Sequence, residues 1–179
     1  MAQGKDSENR RKIMHSLFDW VGTLVVALSV FALLFSFVVR IVAVDGSSML
    51  PSFENGDRLL LSVMDNTFAR GDVVVVDRYT DDPLIKRVIA VGGDTISIDG
   101  DGRVHINGKY VYEGYIQGET VLRDFPGEVK VPQGYLFIMG DNRTVSKDSR
   151  SAEIGLVSEK DVVGKAVFCV WPMQSIGKI

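Results

Sequence analysis

One cysteine, two histidines and five prolines stand in a chain of 179 residues. With Cys169 alone, no internal disulfide forms. His15 and His105 lie far apart in sequence and belong to no Cys/His group with metal-ligand spacing. Both read as ordinary surface or packing residues, and no metal site is expected. Basic excess is lacking too: 20 Lys and Arg face 23 Asp and Glu, for a net charge of −3. That balance excludes the basic footprint of a nucleic-acid-binding domain. There is no clear internal repeat.

What the chain does have is a long stretch without charge. Asp19 and Arg40 bracket an uncharged run from Trp20 to Val39. As a helix this run is about 30 Å long, the thickness of a bilayer's hydrocarbon core. It is apolar on every face, unlike a buried core helix. A cleaved signal peptide has a shorter apolar region, roughly 7–15 residues, with a small-residue cleavage site after it. Arg40-Ile41-Val42-Ala43-Val44-Asp45 offers no such site. The expectation is a tail over 1–19, one retained transmembrane anchor over 20–39, and a domain over 40–179. Lys5, Arg10, Arg11 and Lys12 precede the span, whereas Arg40 and Arg58 are the nearest cations after it. Cationic excess marks the cytoplasmic side, so the tail lies inside and the domain outside.

The outer region reads as strands. Arg58–Val63 and Asp72–Asp77 are short β-branched or apolar runs, punctuated by Gly56-Asp57 and Gly71. Thr95–Ile98 and Arg103–Ile106 flank Asp99-Gly-Asp-Gly102, and Asn107-Gly108 is a two-residue hairpin signal before Lys109–Tyr112. Tyr135–Met139 and Lys165–Trp171 complete the set. The predicted fold class is all-β: a mainly antiparallel, barrel- or sandwich-like domain with a small β-rich insert over about 95–139. No long helix is expected after residue 40. Asp81-Asp82-Pro83 and the stretch 118–132 read as surface loops or an inserted flap.

Three segments carry chemistry. In Gly46-Ser47-Ser48-Met49-Leu50-Pro51, a hydroxyl sits on a turn close to the apolar span. The eight steps from Arg40 cover at most about 27 Å, so Ser48 lies near any bilayer. A serine is a weak nucleophile unless a base takes its proton. Lys86, in Pro83–Ile89, has apolar neighbours; on a strand it shares a face with Leu84 and Val88. Burial of that face lowers an ammonium's pKa and makes the amine a general base. The third segment, Gly140–Arg150, follows an apolar strand and is dense in short polar side chains and arginines.

With these motifs in order behind an apolar span, the chain resembles the bacterial type I signal peptidases in their short Gram-positive form. These are membrane-anchored leader peptidases with a Ser/Lys dyad. The resemblance rests on Gly46-x-Ser48-Met49-x-Pro51, Gly56-Asp57, Gly71-Asp72-Val-Val-Val, Lys86-Arg87-Val-Ile and the 140–150 block, and it covers nearly the whole chain. It implies that Ser48 is the acylated nucleophile, Lys86 the general base, and the Ser48 backbone N–H an oxyanion donor. Ser146 would bond the lysine amine, and Asp148 with Arg143 or Arg150 would hold the loop, supported by Asp141 and Asn142. Val44, Asp45, Met49, Phe53, Leu84 and Ile85 would shape the substrate pockets. The implied substrate is an exported preprotein whose signal ends in small residues, as in Ala-x-Ala, cut at the outer face of the bacterial plasma membrane without cofactor or metal. The peptide would bind by strand addition.

There are departures. Gly46 replaces a serine that gives some relatives a second oxyanion donor, and Ser52 replaces a threonine. Ala90-Val91-Gly92 stands where Gly-Leu-Pro is usual, which permits a peptidase dedicated to pilin-like or other cargo. A self-cleaving repressor-like Ser/Lys protein is disfavoured by the span and the lack of a DNA-binding module. A non-catalytic membrane-anchored binding protein is disfavoured by the intact Ser48/Lys86 pair. The sequence carries no signal of oligomeric state.

Overall fold

The computed structural model describes residues 14, 17–33, 39–77 and 82–179. It divides into two compact units, Met1–Val38 and Val39–Ile179. In the first, residues 17–33 are helical and every described side chain is exposed. The hydroxyls of Thr23 and Ser29 donate to the carbonyls of Asp19 and Val25, each at 2.8 Å, so neither leaves an unpaired group on the apolar surface. Among the described residues, no helix is long and apolar enough to cross a membrane. The expected anchor ran further, but residues 34–38 lie outside the described residues, as do His15 and the tail cations. Val39, expected as the end of the anchor, instead opens a strand.

The second unit is built from antiparallel strands, as expected. The large sheet contains β1 (Val39–Ala43), β2 (Arg58–Ser62), β3 (Val73–Val76) and β4 (Leu84–Val91). The small sheet contains β5 (Thr95–Ile98), β6 (Val104–Ile106), β7 (Lys109–Tyr110) and β8 (Glu128–Lys130). The chain then returns to the large sheet with β9 (Tyr135–Met139), β10 (Val157–Ser158), β11 (Val162–Trp171) and β12 (Gly177–Lys178). Strand order is β1-β2-β11-β3-β4-β9-β10, with β12 on β11, and β7-β6-β5-β8 in the second sheet. The large sheet ends at β1 and β10 and so curls without closing: a half-barrel rather than a barrel. The expected insert over 95–139 is shorter here, because Tyr135–Met139 pairs with β4 in the large sheet. Only two short 3₁₀ turns follow residue 40 among the described residues, Glu159–Asp161 and Met173–Ser175.

Burial explains the local choices. All four valines of β3 are buried, because both faces of that central strand are covered, and the run is continuously apolar rather than alternating. Asn107 (φ 53°) and Gly108 (φ 75°) form the turn between β6 and β7, the left-handed pair that a two-residue hairpin loop requires. One core cluster joins Val44, Met49 and Phe53 to Leu59, Leu61, Val73, Val75 and Ile85. It clamps the segment containing Ser48 onto the sheet that carries Lys86. Strand β4 has both faces occupied: Ile85 belongs to this cluster, whereas Val88, with half-buried Leu84 packed nearby, faces a cluster with Val74, Val76 and Ile138. A register shift at Val88/Ala90, against β9, lets β4 bend along its length.

Candidate active site

Ser48 follows β1 on a tight turn. Val44 N–H donates to Asp57 O at 2.7 Å and Gly56 N–H to Val44 O at 2.9 Å, closing the base of the loop. Met49, 1% exposed, plugs the loop into the core. From the far side, Asn142 donates its backbone N–H to Ser48 O at 3.0 Å and its side-chain amide to Ser47 O at 3.1 Å. Gly140 lies against the same carbonyl: a Cβ there would sit 2.5 Å from Ser48 O and 2.3 Å from Ser146 Oγ, so only glycine fits.

Lys86 reaches this turn from β4. Its register is set by pairing Val74 to Lys86 across β3 and β4. The side chain is 3% exposed. Its Nζ donates to Ser48 Oγ at 2.9 Å and to Ile85 O at 2.9 Å. Burial disfavours the ammonium and lowers its pKa to about 8, against the opposing pull of the Asp148 and Asp141 charges. The expectation from sequence, an amine drawn into an apolar strand, is what the geometry contains.

The 140–150 loop does not work as expected in every detail. Ser146 is not a hydrogen-bond partner of the lysine amine. Its hydroxyl instead accepts from Gly140 N–H at 3.1 Å and supports the Asp148 carboxylate. The reason is position: Gly140 and Asp148 surround Ser146 on the inner side of the loop. Asp148 is paired by Arg150 through bonds of 2.9 and 2.8 Å, both side chains fully buried. Burial raises an Asp pKa, but the Arg150 hydrogen bonds and charge outweigh it, and the Asp148 carboxyl is held below its usual range. Arg143, the alternative partner, turns away. It donates to Glu113 at 2.8 and 2.5 Å, to Thr120 Oγ1 at 2.9 Å, and to Gly140 O at 3.2 Å. Asp141, fully buried, takes Arg87 through bonds of 2.8 and 2.6 Å. For Arg87, burial opposes the charge, yet the Asp141 hydrogen bonds and charge prevail and raise its pKa.

Sequence reasoning passed over Arg87 as a site residue and missed Glu113, Thr120 and Tyr115. Arg87 stood inside the quoted motif, so its neighbour Lys86 was a signal. Glu113 and Tyr115 had none, because their partners lie far along the chain.

A cleft of about 440 Å³ opens beside the Ser48–Lys86 pair, lined by Asp45, Gly46, Ser48 and residues 82–86. Of the six expected pocket residues, Asp45, Leu84 and Ile85 line it. Val44, Met49 and Phe53 do not: they are core residues, at 4%, 1% and 7% exposure. Their apolar faces are used up in packing against β2 and β3. Among the described residues, the Ser48 N–H donates to no acceptor. After β4, Gly92 meets Gln133, where a Cβ would come within 2.9 Å of its Cα. Glycine in place of proline at 92 thus makes room for this close contact. Among the described residues, no group of His, Cys, Asp or Glu could hold a metal ion.

The described arrangement has counterparts. The family description "Signal peptidase, peptidase S26" matches residues 17–171. A signal peptidase I of Bacillus licheniformis is 36% identical over 177 residues, covering 92% of this chain and 94% of its own. Signal peptidase I S of Bacillus subtilis (strain 168) is 35% identical over 184 residues, covering 96% and 98%. Signal peptidase IB of Staphylococcus aureus (strain N315) is 31% identical over 177 residues, covering 88% and 91%.

Proposed function

The chain belongs to the signal peptidase family, peptidase S26, and is a signal-peptide-removing peptidase; from that premise we propose that Ser48 is its nucleophile and Lys86 its general base. The observation that carries this reading is the 2.9 Å contact between Lys86 Nζ and Ser48 Oγ, with the amine buried. In its neutral form, Lys86 accepts the hydroxyl proton as Ser48 Oγ attacks the scissile carbonyl carbon. The carbonyl electrons move to oxygen, within reach of the Ser48 N–H. The intermediate then collapses, the C–N bond breaks, and the Lys86 ammonium gives its proton to the departing amine. Lys86 next takes a proton from water as the water oxygen attacks the ester carbon; the bond from that carbon to Ser48 Oγ then breaks, Lys86 returns the proton to Oγ, and the signal peptide leaves as a carboxylic acid that ionises.

The substrate is an exported preprotein ending its signal in Ala-x-Ala, laid as an extended strand between 45–46 and 82–86. The cleft lined by these two segments supports that path. The uncharged run after Asp19 supports a single membrane anchor with the catalytic unit outside, close to where preproteins emerge.

The test is processing of such a preprotein by detergent-solubilised protein. Cleavage after the last alanine, lost in Ser48→Ala, is the expected result. A folded wild-type protein that leaves the preprotein uncut would overturn it in favour of dedicated cargo or a binding role.

A further inference from the structure

The segment from Glu113 to Arg123, within the excursion between β4 and β9, runs as a strap along the loop that supports the dyad. Gln117 N–H donates to Asp141 O at 2.8 Å, and Arg143 N–H donates to Gln117 O at 2.9 Å. Arg150 Nη1 donates to Val121 O at 3.2 Å, and Arg123 Nη2 to Thr144 O at 2.8 Å. At the head of the strap sits Glu113, 8% exposed. Its carboxylate accepts two bonds from Arg143, a guanidinium with no exposure, and one from Tyr115 Oη at 2.7 Å.

Each of these two contacts ends at one side of the dyad. Arg143 donates from Nε to Gly140 O, and Gly140 is the residue pressed against Ser48 O. The Tyr115 ring covers Arg87, with the guanidinium carbon 4.3 Å from the ring centre. Arg87 itself donates to Asp141, to Gly71 O at 2.9 Å and to Ser52 Oγ at 3.3 Å. It therefore ties the strand of Lys86 to the turn of Ser48. Burial and the neighbouring Glu113 carboxylate push the Tyr115 phenol up, so it stays protonated and keeps donating.

We propose that Glu113, acting with Tyr115, is a positioning residue for the Ser48–Lys86 pair. Through Arg143 it holds the Gly140 peptide under the nucleophile turn, and through Tyr115 it caps Arg87 beside the lysine. The physical reason is reach: one buried carboxylate is the common acceptor for the two groups that fix both sides of a 2.9 Å contact. Displacement of either side by about 1 Å is enough to cost on the order of 100-fold in rate. The inference rests on Ser48 and Lys86 being the reacting pair.

The test compares full-length wild type, Glu113→Gln, Tyr115→Phe and Ser48→Ala in detergent, on a preprotein ending in Ala-x-Ala. Steady-state kcat and KM are measured with melting temperature and near-UV circular dichroism. Glu113→Gln should lower kcat roughly 10- to 100-fold with KM within about threefold. Tyr115→Phe, which keeps the ring over Arg87 but not the bond to Glu113, should fall between that variant and wild type. A purely structural role would instead lower the folded fraction and leave kcat per folded molecule unchanged. A folded Glu113→Gln protein with wild-type kcat overturns the proposal. If Glu113→Gln does not fold, Tyr115→Phe decides: unchanged kcat overturns the proposal, and reduced kcat with unchanged folding and KM supports it. Ser48→Ala separates the two readings. If it stays active, the dyad itself is wrong; if it is dead while Glu113→Gln is normal, only the positioning role fails.

Discussion

Gly140 and Ser48 touch so closely that a single added carbon would sit 2.5 Å from the Ser48 carbonyl oxygen. That contact joins the loop over 140–150 to the turn that carries Ser48. It makes the position of one depend on the backbone of the other.

Gly140→Ala should therefore disturb activity more than its size suggests. Its Cβ also meets Ser146 Oγ at 2.3 Å, and Ser146 is fully buried. Overpacking of this kind costs about 1–3 kcal/mol. The expected outcome is a lower urea midpoint together with a loss of processing that persists at temperatures where the variant is fully folded. Wild-type turnover per folded molecule would show that the loop can move aside harmlessly.

Activity should rise with pH. Burial lowers the Lys86 pKa to about 8, so below that value the amine already carries its proton and cannot accept another. The kcat/KM profile should climb about tenfold per unit well below the midpoint and flatten above it. Lys86→Arg, which stays protonated throughout, should be inactive at every pH. A flat wild-type profile between pH 5 and 9 would contradict the assignment of Lys86 as base.

Arg150→Ala should be among the more destabilising single changes in the domain. It strips the partner from a fully buried carboxylate, which costs roughly 3–5 kcal/mol. Arg150→Met combined with Asp148→Leu should recover much of that loss, because no unpaired charge remains. The comparison is by urea unfolding of both variants. In the wild type, Asp148 has its folded pKa lowered, so its stabilisation is present above the ordinary carboxylate value and is lost as pH falls through the folded one. Stability should accordingly decline on acidification below about pH 4.

Met49→Ala tests the core placement of a residue expected in the substrate pocket. At 1% exposure within the cluster of Val44, Phe53, Leu59 and Ile85, its truncation should cost about 2–5 kcal/mol. Cleavage preference at the signal's last residue should stay the same when the variant is assayed folded. A changed preference with intact stability would return Met49 to the pocket.

Ser48, Lys86 and the run 140–150 were legible as motifs, and the strands were legible from β-branched runs and turn residues such as Asn107-Gly108. The partner choices inside the loop were harder. Asp148 and Arg150 are two residues apart, so their pairing was within reach of inspection. Arg143 goes instead to Glu113, 30 residues away, and Arg87 to Asp141, 54 residues away. Nothing in the local pattern of either arginine names those acceptors. Ser146 was expected on the lysine because of its motif, yet its neighbours Gly140 and Asp148 engage its hydroxyl first.

By itself, the amino-acid sequence determined the class of the domain, the order of its strands along the chain and the residue types available for chemistry. These depend on periodicity, turn chemistry and spacing, which are local properties. Tertiary structure alone decided that Lys86 loses its water and meets Ser48 across 38 residues, that Val44, Met49 and Phe53 are core, and that Glu113 stands behind both sides of the pair. Desolvation and ion pairing depend on what surrounds a group in space. For a curled antiparallel sheet, those surroundings come from strands far apart in the chain.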